Sequence, residues 1–185
     1  MKFGMLSGLL LCVALYAHAG AGGFENETET PTTGWRSVPA KVARPLILRE
    51  VFAADVAAFN QTAEPRITWG QALVLQPVPV SQSGARVFFV RPRLEPYFAP
   101  LYGAHSYVHW LLKDGHPVFK ASSDGLKLLD TASHHMRDIE ERICMTGQCA
   151  HTRLQFDGRA YQPVVCRLKE VDSGKDLGAC GTAPQ

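Results

Sequence analysis

The sequence predicts an α+β fold: a curved antiparallel β-sheet with one N-terminal amphipathic helix packed on one face and C-terminal hairpins stapled by disulfides. Three observations predict this fold. One stretch near the start has the apolar period of a helix, short apolar runs between turn residues fill most of the rest, and four cysteines follow residue 143. With 46% hydrophobic and 19% charged residues among 185, the composition excludes collagen, coiled coil and wholesale disorder.

The charge balance argues against a nucleic-acid partner. The chain has 19 basic and 17 acidic residues, a formal net charge of +2. Nucleic-acid-binding domains carry a clustered basic excess, and the sequence has no such cluster.

The first residues have the three-part pattern of a secretory signal peptide. Lys2 is followed by an apolar run from Met5 to Tyr16, and Ala17-His18-Ala19 has small residues at the positions that a signal peptidase requires. The apolar run is shorter than the ~20 residues of a membrane-spanning helix. We therefore expect cleavage after Ala19, a periplasmic or secreted protein, and no stable membrane insertion after cleavage.

The remaining chain divides into two parts. Residues 20–40 are rich in Gly, Thr, Glu and Pro and have no apolar period, which predicts a flexible leader. Residues 41–185 have the length of one domain, which we expect to be a single α+β domain.

One helix is predicted over residues 45–60. Pro45 is suited to its first turn, and Pro65 follows its end. Apolar residues recur at spacings of three and four, which predicts a buried stripe: Leu48, Val51, Phe52, Val56 and Phe59.

Short β-branched and aromatic runs predict strands in the rest of the chain. The most specific geometry is a hairpin around Asp157-Gly158, a pair that suits a two-residue type I′ turn. This turn would place one set of side chains in the core: Leu154, Phe156, Tyr161 and Val165.

In an oxidising compartment the four cysteines of the mature chain predict two disulfides. Local turns favour Cys144–Cys149 and Cys166–Cys180. The hairpin register instead places Cys149 opposite Cys166, but Pro163 cannot donate the hydrogen bond that this ladder requires. A zinc site with these four ligands is a further alternative, although the spacing lacks two close pairs.

His105 and His109 are the candidate metal ligands, because a spacing of four places both imidazoles on one face. A third ligand would have to come from His134, His135 or His151. The alternative is a half-exposed strand in which these histidines, with Trp110 beside them, contribute only to a binding surface.

The sequence contains no signature of a catalytic nucleophile. It lacks G-x-S-x-G and any phosphate-binding glycine loop, and the sequence predicts no cofactor. Asp138, Glu140 and Glu141 could form a catalytic carboxylate pair, but beside Arg137 and Arg142 they are more typical of a solvated charge run.

Roughly half of the chain resembles a group of small exported bacterial proteins with no characterised activity. The resemblance rests on a Gly-Ala-His segment before a strand, on strand ends, and on a Phe-Asp-Gly-Arg-x-Tyr hairpin that leads to a cysteine. Here these are 103–105, Leu128-Leu129-Asp130, Arg137-Asp138-Ile139, 156–161 and Cys166. It implies a periplasmic β-rich fold and no particular reaction.

These features together predict an exported, non-enzymatic binding protein of the inhibitor or immunity type, whose partner is another exported protein. Two other functions remain open: a metal-dependent hydrolase that uses His105 and His109, and a structural component of the cell envelope.

Overall fold

The computed structural model describes residues 23–25, 35–64, 66–94, 97–102 and 106–181. Its helices are α1 (Ala40–Ile47), α2 (Ala53–Thr62), α3 (Trp69–Ala72) and a 3₁₀ helix (Ala99–Leu101). Its strands are β1 (Gly23–Glu25), β2 (Arg36–Ser37), β3 (Leu73–Pro77), β4 (Val87–Pro92), β5 (Tyr107–Lys113), β6 (His116–Ser123), β7 (Gly125–Ser133), β8 (Met136–Met145), β9 (Gln148–Phe156), β10 (Tyr161–Glu170) and β11 (Asp176–Ala179).

The strands form two antiparallel sheets where the sequence predicts one. The five-stranded sheet has the order β2-β3-β4-β5-β6, and the six-stranded sheet has the order β1-β7-β8-β9-β10-β11. Strand β6 of the five-stranded sheet ends at Ser123 and β7 of the six-stranded sheet begins at Gly125, so Asp124 is the single residue between these two strands. The predicted combination of antiparallel strands and a few helices is thus confirmed, with the strands divided between two sheets.

The molecule has three layers: helices, the five-stranded sheet and the six-stranded sheet. Successive side chains of β4 point to opposite faces of the five-stranded sheet, so this middle layer contributes to two hydrophobic cores. Val87 and Phe89 pack in a cluster with residues of the six-stranded sheet, whereas Val90 packs in a second cluster with Ala43 and Ile47 of α1. Both faces of the five-stranded sheet are therefore buried.

The single helix predicted over residues 45–60 is replaced by two helices. Helix α1 begins after Pro39, whose carbonyl accepts from the amides of Val42 and Ala43, and Pro45 lies inside it. Residues 48–50 form a turn between the helices. Phe52, expected in the buried stripe, is extended in backbone conformation and 80% exposed. The turn separates the buried residues of α1, Ala43, Leu46 and Ile47, from the buried Val56 of α2.

The segment predicted as a flexible leader contains two short strands. Gly23–Glu25 pairs with β7, and Arg36–Ser37 pairs with β3. Val38, next along the chain, is fully buried. Strands of two or three residues are too short to show the alternation of apolar and polar residues by which a sequence predicts a strand, so the sequence did not predict them.

The hairpin between β9 and β10 has a four-residue loop and not the predicted two-residue turn. Phe156 pairs with Tyr161, and the Asp157 carboxylate accepts hydrogen bonds from the amides of Arg159 and Ala160. This local bond favours the longer loop. A bulge at Pro163 then turns Val165 outward to 49% exposure, so its predicted core position is wrong, while Leu154, Phe156 and Tyr161 are buried as expected.

Candidate functional site

His109 lies in the core between the two sheets. It is 2% exposed, and its ring contacts the rings of Phe89 and Phe119. Its Nδ1 lies 3.1 Å from the Tyr107 carbonyl, which only accepts, so Nδ1 carries the proton. Nε2 is then the acceptor for the Ser123 hydroxyl at 3.4 Å. Burial lowers the pKa of His109 to about 4, against the opposing effect of the Tyr107 carbonyl bond, so the imidazole is neutral at pH 7.

Among the described residues, the structure does not bring the predicted third ligands His134, His135 and His151 together with His109 in a metal-binding group. His105 lies outside the described residues. His134 and His135 form the turn between β7 and β8, and His151 pairs with Glu140 at 3.1 Å. Within the ranges that the structure describes, no three His, Cys, Asp or Glu side chains form a group that could hold a metal. Both nitrogens of His109 are already engaged in hydrogen bonds.

Trp110 lies on the opposite face of β5 from His109. It is 2% exposed and packs in the cluster beneath the helices. Its ring therefore fills the core and does not contribute to the surface.

Glu141 extends the polar contacts of His109 across the two sheets. Its carboxyl is the second partner of the Ser123 hydroxyl, whose single proton is donated either to His109 or to Glu141. Burial raises the pKa of Glu141, although the bond from Ser123 lowers it. Sequence reasoning missed this arrangement, because it placed Glu141 in a solvated charge run. Alternation along β8 was the available signal, since Glu141 shares a face with buried Ile139.

Asp138 also departs from the expected solvated run. Its side chain is 1% exposed and accepts hydrogen bonds from Arg153 at 2.7 Å, Thr131 at 2.7 Å and Ser133 at 2.8 Å. Burial raises the pKa of Asp138, but these bonds and one from Gln155 outweigh it and hold the pKa below its ordinary value. With four donors around it, this carboxylate organises the outer face of the six-stranded sheet.

Arg91 occupies the interior beside His109. It lies on β4 and is 5% exposed, with its guanidinium carbon 4.7 Å from the Trp35 ring centre and 5.6 Å from that of Tyr107. The pairing of Val90 with Trp110 places Arg91 directly across from His109 on the neighbouring strand. No sequence motif marked Arg91 or Trp35 as candidates.

Both predicted disulfides are present. Cys144 pairs with Cys149 in direct register across β8 and β9, and Cys166 on β10 is bonded to Cys180 just after β11. The alternative pairing of Cys149 with Cys166 fails because the four-residue loop and the bulge at Pro163 together shift the register, so that Cys149 faces Lys169.

These disulfides lie where the six-stranded sheet extends beyond its cover. Ile139 and Ile143 share a face of β8, yet Ile139 is fully buried and Ile143 is 40% exposed. The five-stranded sheet therefore stops covering this face between them. We call the uncovered part, residues 143–150 and 164–180, the C-terminal ribbon. It bears exposed apolar side chains: Ile143, Met145, Val164, Val165, Val171 and Leu177.

Comparisons with protein-family models, with curated proteins and with solved structures find no match to this chain. In the part of the chain that the structure describes, no helix is long and apolar enough to cross a bilayer.

Proposed function

We propose that this chain is an exported, non-enzymatic binding protein of the inhibitor or immunity type, and that the C-terminal ribbon binds another exported protein. The observation that carries this proposal is the exposed apolar surface of the ribbon. Of the eight large hydrophobic side chains that are exposed among the described residues, six belong to the ribbon. A concentration of exposed large apolar side chains in one part of a protein is typical of interaction sites.

Rigidity of the ribbon supports the same function. One disulfide joins β8 to β9 near the tip, and the other joins β10 to the segment after β11. The ribbon therefore keeps its shape without a core of its own. A binding surface that is ordered in advance loses less entropy on association, which favours affinity.

The polar rim fits a protein partner better than a lipid surface. Arg167 and Asp176 form an ion pair at 2.7 Å between β10 and β11, and Glu170 is hydrogen-bonded by Ser173. Charges of both signs thus alternate with the apolar side chains. An anionic membrane surface would instead select an excess of lysine and arginine.

Export is supported by the N-terminal sequence pattern and by the two disulfides, which persist in oxidising compartments. The mature chain in this proposal begins at Gly20, or at Gly22 if the signal peptidase uses the Ala19-Gly20-Ala21 site. Intact-mass measurement of the native protein checks this start, and a retained Met1 would contradict it.

The binding function is tested by isolating the partner and then measuring its affinity for ribbon variants. The protein is cross-linked in the native compartment, the stoichiometric partner is identified by mass spectrometry, and binding of the purified pair is measured by calorimetry. We expect M145D and L177D each to weaken the complex at least tenfold, because each buries a charge in an apolar contact.

Phe52→Asp is the matched control, since Phe52 is equally apolar and 80% exposed but lies between α1 and α2. It should leave the affinity unchanged. Equal loss in F52D and M145D, or a complex that tolerates both ribbon variants, would contradict the assignment of the ribbon.

A further inference from the structure

Arg91 is a buried cation without an acidic partner among the described residues. Its Nη1 donates to the Tyr107 hydroxyl at 3.3 Å, while its Nε is sealed from solvent and makes no hydrogen bond. None of the ion pairs in the described ranges includes Arg91. Burying a charge without a counter-charge is unfavourable, so a bound anion would stabilise Arg91 in this position.

Two aromatic rings lie beside the Arg91 guanidinium. The guanidinium lies against Trp35 on one side and Tyr107 on another. Trp35 is only partly buried, and so is Tyr102, whose ring packs edge-on against Tyr107. This aromatic cluster therefore extends from the buried guanidinium to the protein surface.

A second arginine lies two residues further along the chain. Arg93 follows the end of β4, and strand alternation places it on the same side as Arg91. Its Nη2 donates to the Ser37 hydroxyl, and its Nε is likewise buried without a partner. The two guanidinium groups give this end of the five-stranded sheet a local positive charge.

We propose that Arg91 is the receptor for a carboxylate group, with Arg93 as a second source of positive charge. Since Nη1 is engaged with Tyr107, the edge formed by Nε and Nη2 remains, and its parallel N–H groups match the two oxygens of a carboxylate. The carboxylate comes from a small organic acid or from the C-terminus of a protein; this site is independent of the ribbon and of the binding function proposed for it.

The test follows the arginine Nε–H resonances of the ¹⁵N-labelled mature protein by NMR. The probes are N-acetylphenylalanine, its amide, and a ten-residue peptide that ends in phenylalanine with a free or an amidated C-terminus. We expect a saturable shift of the Arg91 resonance with both carboxylates and none with either amide. Tighter binding of the peptide identifies a protein C-terminus as the source, and equal affinities identify a small acid.

Variants separate a receptor from a structural arginine. R91K and R91M should weaken carboxylate binding at least tenfold, R93K should weaken it severalfold, and R44K, on the exposed face of α1, should leave it unchanged. If Arg91 has no counter-charge in the free protein, R91M also keeps the thermal midpoint of the wild type. A midpoint that falls steeply in R91M, together with no shift in the wild type, would overturn the proposal, as would equal shifts with acid and amide.

Discussion

At the scale of single residues, burial decides the charge state of His109. The ring is enclosed by Phe89 and Phe119 on its own sheet. Protonation of this imidazole would place a cation in an apolar interior, which is why its pKa falls to about 4. A histidine in this state stabilises the core as a neutral donor and acceptor.

The lowered pKa of His109 predicts a loss of stability in mild acid. The unfolded chain binds a proton at His109 below about pH 6.5, whereas the folded chain binds it only below about 4, so stability falls as the pH drops between these values. The difference corresponds to about 3 kcal/mol. Urea unfolding at pH 7, 5.5 and 4.5 measures how the free energy of unfolding depends on pH. In H109Q, whose side chain does not titrate, this dependence should be weaker.

Glu141 opposes this effect, because its raised pKa favours the folded state as the pH falls. The variant E141Q should therefore steepen the pH dependence of the wild type. An identical slope in wild type and H109Q would show that other groups dominate acid sensitivity.

Asp138 is buried like His109 but keeps its charge. His109 stays neutral, but Asp138 stays ionised because Arg153 and three polar side chains donate hydrogen bonds to it. The sequence shows the acidic residue and cannot show its donors, since they come from β7 and β9.

At the scale of secondary-structure elements, the turn between β7 and β8 carries two histidines in the left-handed region. The φ angles of His134 and His135 are 48° and 61°. Glycine and asparagine are the residues that adopt this conformation most readily, and two-residue hairpin turns select them. The His-His pair is thus locally unfavourable and is held by the pairing of the flanking strands, Ser133 with Met136.

Replacing His135 with glycine should stabilise the protein by about 1 kcal/mol, since it removes the cost of a side chain at positive φ. The comparison is H116G. His116 is also an exposed histidine, but it has no positive φ and lies in β6, where glycine is unfavourable. Thermal unfolding should place H135G above the wild type and H116G below it; the reverse order would contradict the strain in this turn.

At the scale of the whole molecule, the disulfides stabilise the part of the six-stranded sheet that has no hydrophobic core. Ile139 and Leu154 belong to the core between the sheets, while the ribbon beyond them has an uncovered face. Both cystines lie in this uncovered part. They hold β8 to β9 and β10 to the chain end without help from a core.

Removing each disulfide should destabilise the protein according to the length of the loop that it closes. The sequence separations are 14 for Cys166–Cys180 and 5 for Cys144–Cys149. The chain-entropy relation predicts losses of about 3 and about 2 kcal/mol. Urea unfolding of C166S/C180S and C144S/C149S measures both, and a larger loss in the second variant would contradict the loop-length argument.

Sequence determined the features of this protein that depend on neighbours along the chain. Short apolar runs between turn residues predicted the strands, and the disulfide pairing followed from local turns because each pair lies within 14 residues. The two-residue turn at Asp157 and the single helix over residues 45–60 were wrong. In these cases a side-chain bond and a turn between two packed helices outweighed local preference.

Tertiary structure alone decided which side of each strand is covered. Alternation places His109 and Trp110 on opposite faces of β5, but the sequence does not show that a second sheet covers one face and helices the other. For the same reason Ile143 is exposed although Ile139, on the same face, is buried. Burial depends on layers formed by residues far apart in the chain, and the candidate sites at Arg91 and the ribbon arise from those layers.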